Sequence, residues 1–71
     1  MNRYLIITEK TRTGYSAYSP DLPGCVATAA TKPAILREMR AALAFHVEGL
    51  RLNGTKLPKP RADATFLEVV A

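Results

Sequence analysis

Asp21, Cys25 and His46 carry the side chains most able to do chemistry in this chain. Asp21 and Cys25 fall in the run Tyr18-Ser19-Pro20-Asp21-Leu22-Pro23-Gly24-Cys25. A carboxylate acts as general acid, general base or metal ligand when a second carboxylate, a histidine or another base stands near it. The run offers Asp21 no such neighbour. Its expected role is that of a turn residue bonded to nearby backbone amides. A thiol becomes nucleophilic beside a base or a helix N-terminus. Cys25 opens a strand after a glycine, with no base in view, so packing is its expected role. His46 has Ala42 and Leu50 four residues away on either side, and neither is a ligand or a relay. It reads as a core or interface histidine with a satisfied hydrogen bond, although imidazole is able to titrate near neutral pH. With one cysteine, no internal disulfide forms, and no Cys/His spacing fits zinc. These residues imply no catalytic group, no cofactor site and no metal site.

Binding is the other chemistry to consider. Arg37, Arg40 and Arg51 fall on one helical face, where they could meet phosphates, but Glu38 and Glu48 lie close enough to offset part of that charge. Tyr4, Tyr15 and Tyr18 could stack on bases, though strand packing accounts for them as well. The four glycines are too widely spaced to cradle a phosphate, and no helix-turn-helix or ribonucleoprotein motif is present. Net charge is +4 with a pI near 9.6, which keeps acidic partners in play, yet no block of five like charges occurs.

The elements that position these residues follow from local signals. Arg3 to Thr8 is β-rich and apolar and reads as a buried first strand. Glu9 to Gly14 is a polar hairpin connection. Tyr15 to Ser19 is a second strand, with Tyr15, Ala17 and Ser19 on one face and Ser16 and Tyr18 on the other. Pro20 and Pro23 fix φ and remove donors, so the ladder stops there, and Gly24 can supply the positive φ of a type II turn. Cys25 to Ala29 is a third strand. Thr31 is an N-cap and Pro33 fits the first helical turn, so a helix is expected from Lys32 to about Leu52, stopped by Asn53-Gly54. Ile35, Met39, Ala42, Leu43, His46, Val47 and Leu50 form its core face. Ala34, Ala41, Phe45 and Leu52 form a stripe beside that face, and Ala41, Phe45 and Leu52 are the expected self-association residues. Pro58 and Pro60 hold Thr55 to Arg61 extended, and Ala64 to Val70 reads as a fourth strand beside and parallel to the first. The expected fold is α+β, in the order β-β-β-α-β, with one helix over one face of the sheet.

Seventy-one residues make one domain, taken as 1–71. A chain of this length buries only about 60% of its extended surface, so a homo-oligomer, dimer or tetramer, is expected. No run of 18 apolar residues and no signal sequence occur, and a reduced cytoplasmic setting follows.

The run YSPDLPGCVAT, the helix segment AALAFHVEGLRLNG and then KLPKP together resemble the HicB-like antitoxin family, over about nine-tenths of the chain. The resemblance implies a partial ribonuclease H-like fold without that nuclease's full carboxylate set. It implies a protein-binding antitoxin of a type II toxin-antitoxin system, without enzymatic activity. Its partner would be a HicA-like toxin, a small ribonuclease that cleaves mRNA, neutralised by masking its basic RNA-facing surface or its catalytic histidine. Many relatives add a C-terminal operator-binding domain. No such segment follows the fourth strand here, so direct DNA binding is not expected. Tyr18, Asp21, Leu22 and Pro23, at the rigid corner, are the expected partner-binding residues. The alternative is a stand-alone nucleic-acid-binding module using the three arginines and the tyrosines, or an orphan interaction domain. A residual nuclease would need a divalent-metal site.

Overall fold

The structure, a computed structural model, describes residues 2–70. Three short strands and one long helix form: β1 (Ile7–Lys10), β2 (Tyr15–Tyr18), β3 (Val26–Ala29) and α1 (Lys32–Leu52). The strands make an antiparallel meander in the order β1-β2-β3. The architecture is α+β, as expected.

Register follows from the two turns. Thr11 and Gly14 close the first connection: the Thr11 amide donates to the Gly14 carbonyl at 2.8 Å, and the Gly14 amide donates to Thr11 Oγ1 at 3.0 Å. Glycine is required at position 14 by space. A Cβ there would strike the Ala29 carbonyl oxygen and lie 2.9 Å from Ala30 Cα. The second connection is two consecutive β-turns. The Leu22 amide donates to the Ser19 carbonyl at 3.2 Å, and the Cys25 amide donates to the Leu22 carbonyl at 3.1 Å. Gly24 has φ +85° in the second turn, the conformation a type II turn demands after Pro23.

The sequence places the first strand at Arg3 to Thr8, but the ladder starts at Ile7 and runs through Lys10. Ile7 pairs with Tyr18, the last residue of β2. Ser19 bonds instead to Cys25 across the corner, and Pro20 has no N–H to donate. Residues before Ile7 therefore have no neighbour strand on that side. Tyr4 and Ile6 still pack against the core.

The helix matches its expected limits. Thr31 Oγ1 accepts the Ala34 amide at 3.2 Å. At the other end, the Gly54 amide donates to Arg51 O and the Thr55 amide to Leu50 O, with Gly54 at φ +67°. This is the paired closure in which an αL glycine satisfies the last carbonyls. One face of α1 packs on β3 and, to a lesser extent, on β2. The core is small: Ala17, Leu22, Cys25, Ile35 and Met39 are buried, with Ala42, Leu43 and Leu50 packed beside them.

No fourth strand is found. Residues 55–70 carry no sheet pairing among the described residues, and Phe66, Leu67, Val69 and Val70 are each more than 80% exposed. Ala64 to Val70 has strand composition, but a strand exists only against a partner ladder, and this segment lies against none. What holds the preceding stretch is a pair of side chains. The Tyr4 hydroxyl donates to the Pro58 carbonyl, and Asp21 Oδ2 accepts the amides of Arg61 and Ala62, each at 3.0 Å.

Candidate functional site

α1 covers one face of the sheet and leaves the other open. Cross-strand partners share a face, so the pairings Ile7–Tyr18 and Tyr18–Val26 line up one row across all three strands. In β2 this row lies opposite to the buried Ala17. Tyr18 is 41% exposed and Val26 63%, with Ile7 half-buried beside them. The row runs into the proline corner, where Pro20 and Pro23 are also exposed. It is an apolar patch on a rigid base, since both flanking turns are closed by backbone bonds.

Tyr18 stands on this surface, and Pro23 is exposed at the corner beside it, where it borders a basin with residues 56–61. Leu22 stands at neither place. At 1% exposure it is a core residue, joining the two turns from beneath, and it supports the corner rather than presenting a contact. Asp21 also differs from expectation. Its carboxylate bonds to amides 40 and 41 positions away, in the strap that follows the helix, and not to its own turn. These two amides, and then the charge of Arg61, hold the Asp21 carboxyl below its ordinary value. Beside it, Lys56, Lys59 and Arg61 give the basin between corner and strap a basic rim.

The remaining chemistry-bearing residues do not assemble. Cys25 is buried, and desolvation raises its thiol pKa, which suppresses the thiolate. His46 is half-buried beneath the corner. Its Cε1 lies 4.0 Å from where a Gly24 side chain would begin. Among the described residues, no three His, Cys, Asp or Glu side chains converge. Arg37, Arg40 and Arg51 are all exposed, and Arg51 contacts Glu48 at 3.6 Å, a surface pair of little energetic weight. The tyrosines do not share a stacking surface. Tyr4 reaches the strap, Tyr15 faces inward with Lys10 Nζ 5.1 Å from its ring centre, and only Tyr18 lies on the open face. Ala41, Phe45 and Leu52 are exposed along the helix, Phe45 at 84%.

Sequence reasoning missed Ile7 and Val26. Ile7 sits in an apolar run that reads as wholly buried. Val26 is on the exposed side of the alternation in β3, and its pairing with Tyr18 is what brings it into the row.

The chain as a whole is similar to known proteins. The family profile described as HicB_like antitoxin of bacterial toxin-antitoxin system matches residues 4–68. The chain belongs to the HicB-like antitoxin family. A solved structure, a HicA3 and HicB3 toxin-antitoxin complex, matches with a TM-score of 0.72 and 37% identity, over 84% of this chain and 70% of that one. An uncharacterised 14.9 kDa protein of Haemophilus phage HP1 is 36% identical over 79% of this chain and 42% of its own length. A UPF0150 protein of Thermoplasma acidophilum is 31% identical over 86% of this chain and 90% of its own. The chain thus spans about four-tenths of the phage relative and nearly all of the archaeal one. No helix among the described residues is long and apolar enough to cross a membrane.

Proposed function

We propose that the chain neutralises a HicA-like ribonuclease toxin by binding it directly, through the open sheet face and the proline corner. Tyr18, Val26, Ile7 and Pro23 make the contacts, while Asp21 and Leu22 hold the corner in place. The observation that carries this reading is the apolar row Ile7–Tyr18–Val26, left uncovered by α1 and set on closed turns. Family membership and the 37% identical match to a HicA3–HicB3 complex support the choice of partner. A rigid face with an aromatic anchor binds without an ordering cost, which is where binding hot spots concentrate.

The action is stoichiometric masking rather than turnover. Asp21 is the one carboxylate of the corner, and its acceptor oxygen is already engaged by two amides. Ala41, Phe45 and Leu52, the apolar stripe of α1, join dimers of the chain into a tetramer.

The test is co-purification with the product of a neighbouring reading frame of HicA type, followed by calorimetry on the pair. Tyr18→Ala and Val26→Asp should each weaken the complex by roughly 10- to 100-fold and release RNA cleavage by the toxin. Because the contacts are apolar, affinity should change little with salt, whereas phosphate binding would fall steeply. Absence of association at low salt, or binding indifferent to both substitutions, would overturn the assignment.

A further inference from the structure

Two unsatisfied features of the molecule match each other. The first is a groove. α1 packs over β3 and β2, and on the β1 side an open cleft of about 650 Å³ remains, lined by Arg3, Tyr4, Ile6, Leu36, Met39 and Leu43. It continues along α1 past Ala44 and Val47. Its floor is the flank of residues 3–6, which lead into β1, the edge strand of the sheet. Leu36 is 51% exposed at its wall. The second is the segment Ala64–Val70. It is strand-forming in composition, exposed at every position and paired with no other strand. The described residues span 49 Å along the long axis, whereas a 21-residue helix accounts for about 32 Å of that.

We infer that Ala64–Val70 of one copy lies in the groove of a second copy as a strand added beside residues 3–6 and β1, and that the exchange is reciprocal. Three observations select a second copy as occupant. Charge is complementary: Glu68 is the only charged residue of 64–70, while the groove is rimmed by Arg3, Arg40 and Arg51. Trajectory is outward: the strap is fixed at Arg61 and Ala62 by Asp21, Ala62 and Asp63 flank residues 3–6, and every residue after that point stands clear of the body. Size also requires cover: five buried apolar side chains are a small core for a chain of this length, and such a chain is stabilised by association.

The geometry of a strand sets which residues seat. Period two places Thr65, Leu67 and Val69 on one face and Phe66, Glu68 and Val70 on the other. The uncharged face with Leu67 and Val69 meets Leu36, Leu43 and Val47 of the other copy. Glu68 then lies on the side of Arg3, because Tyr4 and Ile6 face the core and Arg3 alternates with them. The β1 edge and the free strand become each other's partners, which removes the hazard they present when left open. A two-fold exchange of this kind is self-complementary and closes without propagating.

The experiment is isotope-filtered NMR on the full chain, mixing labelled and unlabelled copies, with mass measured by light scattering. Contacts between copies are expected from Leu67 and Val69 methyls to Leu36, Leu43 and Val47. Leu67→Asp should weaken the dimer by about tenfold or more while leaving the circular dichroism of the body unchanged, since Leu67 is exposed in the single chain. The same contacts found only within a copy would overturn the inference. So would a dimer that resists Leu67→Asp and is broken by Phe45→Asp, which assigns association to the α1 stripe instead. Toxin binding is read separately, so failure of one assignment leaves the other standing.

Discussion

Asp21 Oδ2 and the amide of Ala62 lie 3.0 Å apart across 41 positions of sequence, and with the Arg61 amide they form a two-pronged clasp. The clasp joins the corner that borders the open face to the strap that carries the chain beyond α1. Asp21→Ala should therefore leave sheet and helix intact and free the strap. Hydrogen exchange at Arg61 and Ala62 should rise toward that of unbonded exposed amides, while amides of α1 stay protected. Unchanged exchange at both positions would show that the clasp is not formed.

The clasp also has a pH sign. Its amides favour the charged form, so the Asp21 carboxyl titrates below its ordinary value of 3.8. A depressed carboxyl contributes stability that is complete above the ordinary value and lost as pH falls through the depressed one. Amide shifts of Arg61 and Ala62, followed downward from neutral pH, should move together with a midpoint below 3.8. A midpoint above that value would contradict the arrangement.

Gly14 is a test of close approach. Its Cβ-free backbone passes against Ala29 and Ala30, at the point where β3 gives way to α1. Gly14→Ala should cost about 1–3 kcal/mol, as overpacking against backbone does, measured by urea unfolding. Gly49→Ala, at a helical position with nothing within 4 Å of the new methyl, should be neutral or stabilising and serves as the control.

Ser19 presents the opposite case. Its hydroxyl is buried at 3% exposure and has no hydrogen-bond partner. Removing an unsatisfied buried group relieves its desolvation cost, so Ser19→Ala should leave stability unchanged or raise it by up to about 1 kcal/mol. A marked loss would mean the hydroxyl is bonded in solution.

Cys25 reports on opening. It is the one thiol of the chain, buried in the core, with its pKa raised by desolvation. An aromatic disulfide reagent at neutral pH should react slowly with native protein and rapidly in urea. Its native rate should fall further when the toxin partner is bound, if docking on the open face stabilises the corner that Cys25 closes.

Much of this fold was legible from residues acting on near neighbours. Thr31, Pro33 and Asn53-Gly54 set the limits of α1, and Pro23-Gly24 set the second turn, because caps and turns are settled within a few positions. What resisted reading were the residues whose partners lie far along the chain. Asp21 has the composition of a local turn former, yet it bonds to the strap. Leu22 sits between two prolines in a surface corner, yet the paired turns fold it inward. Ala64–Val70 has every mark of a strand, and composition is silent on whether a ladder is available within the same copy. The candidate site was half visible: Tyr18 and Pro23 follow from the corner, but Ile7 and Val26 join them only through register.

The connections of the sheet have a kinetic consequence. Each ladder joins strands adjacent in sequence, and α1 follows β3 after two residues. Only short loops need closing before meander and helix meet, which favours rapid folding. The bonds from Tyr4 to Pro58 and from Asp21 to Ala62 close loops of 54 and 41 positions, so they should form last. A folding chain would thus complete its open sheet face before the strap at 55–62 is fastened to it.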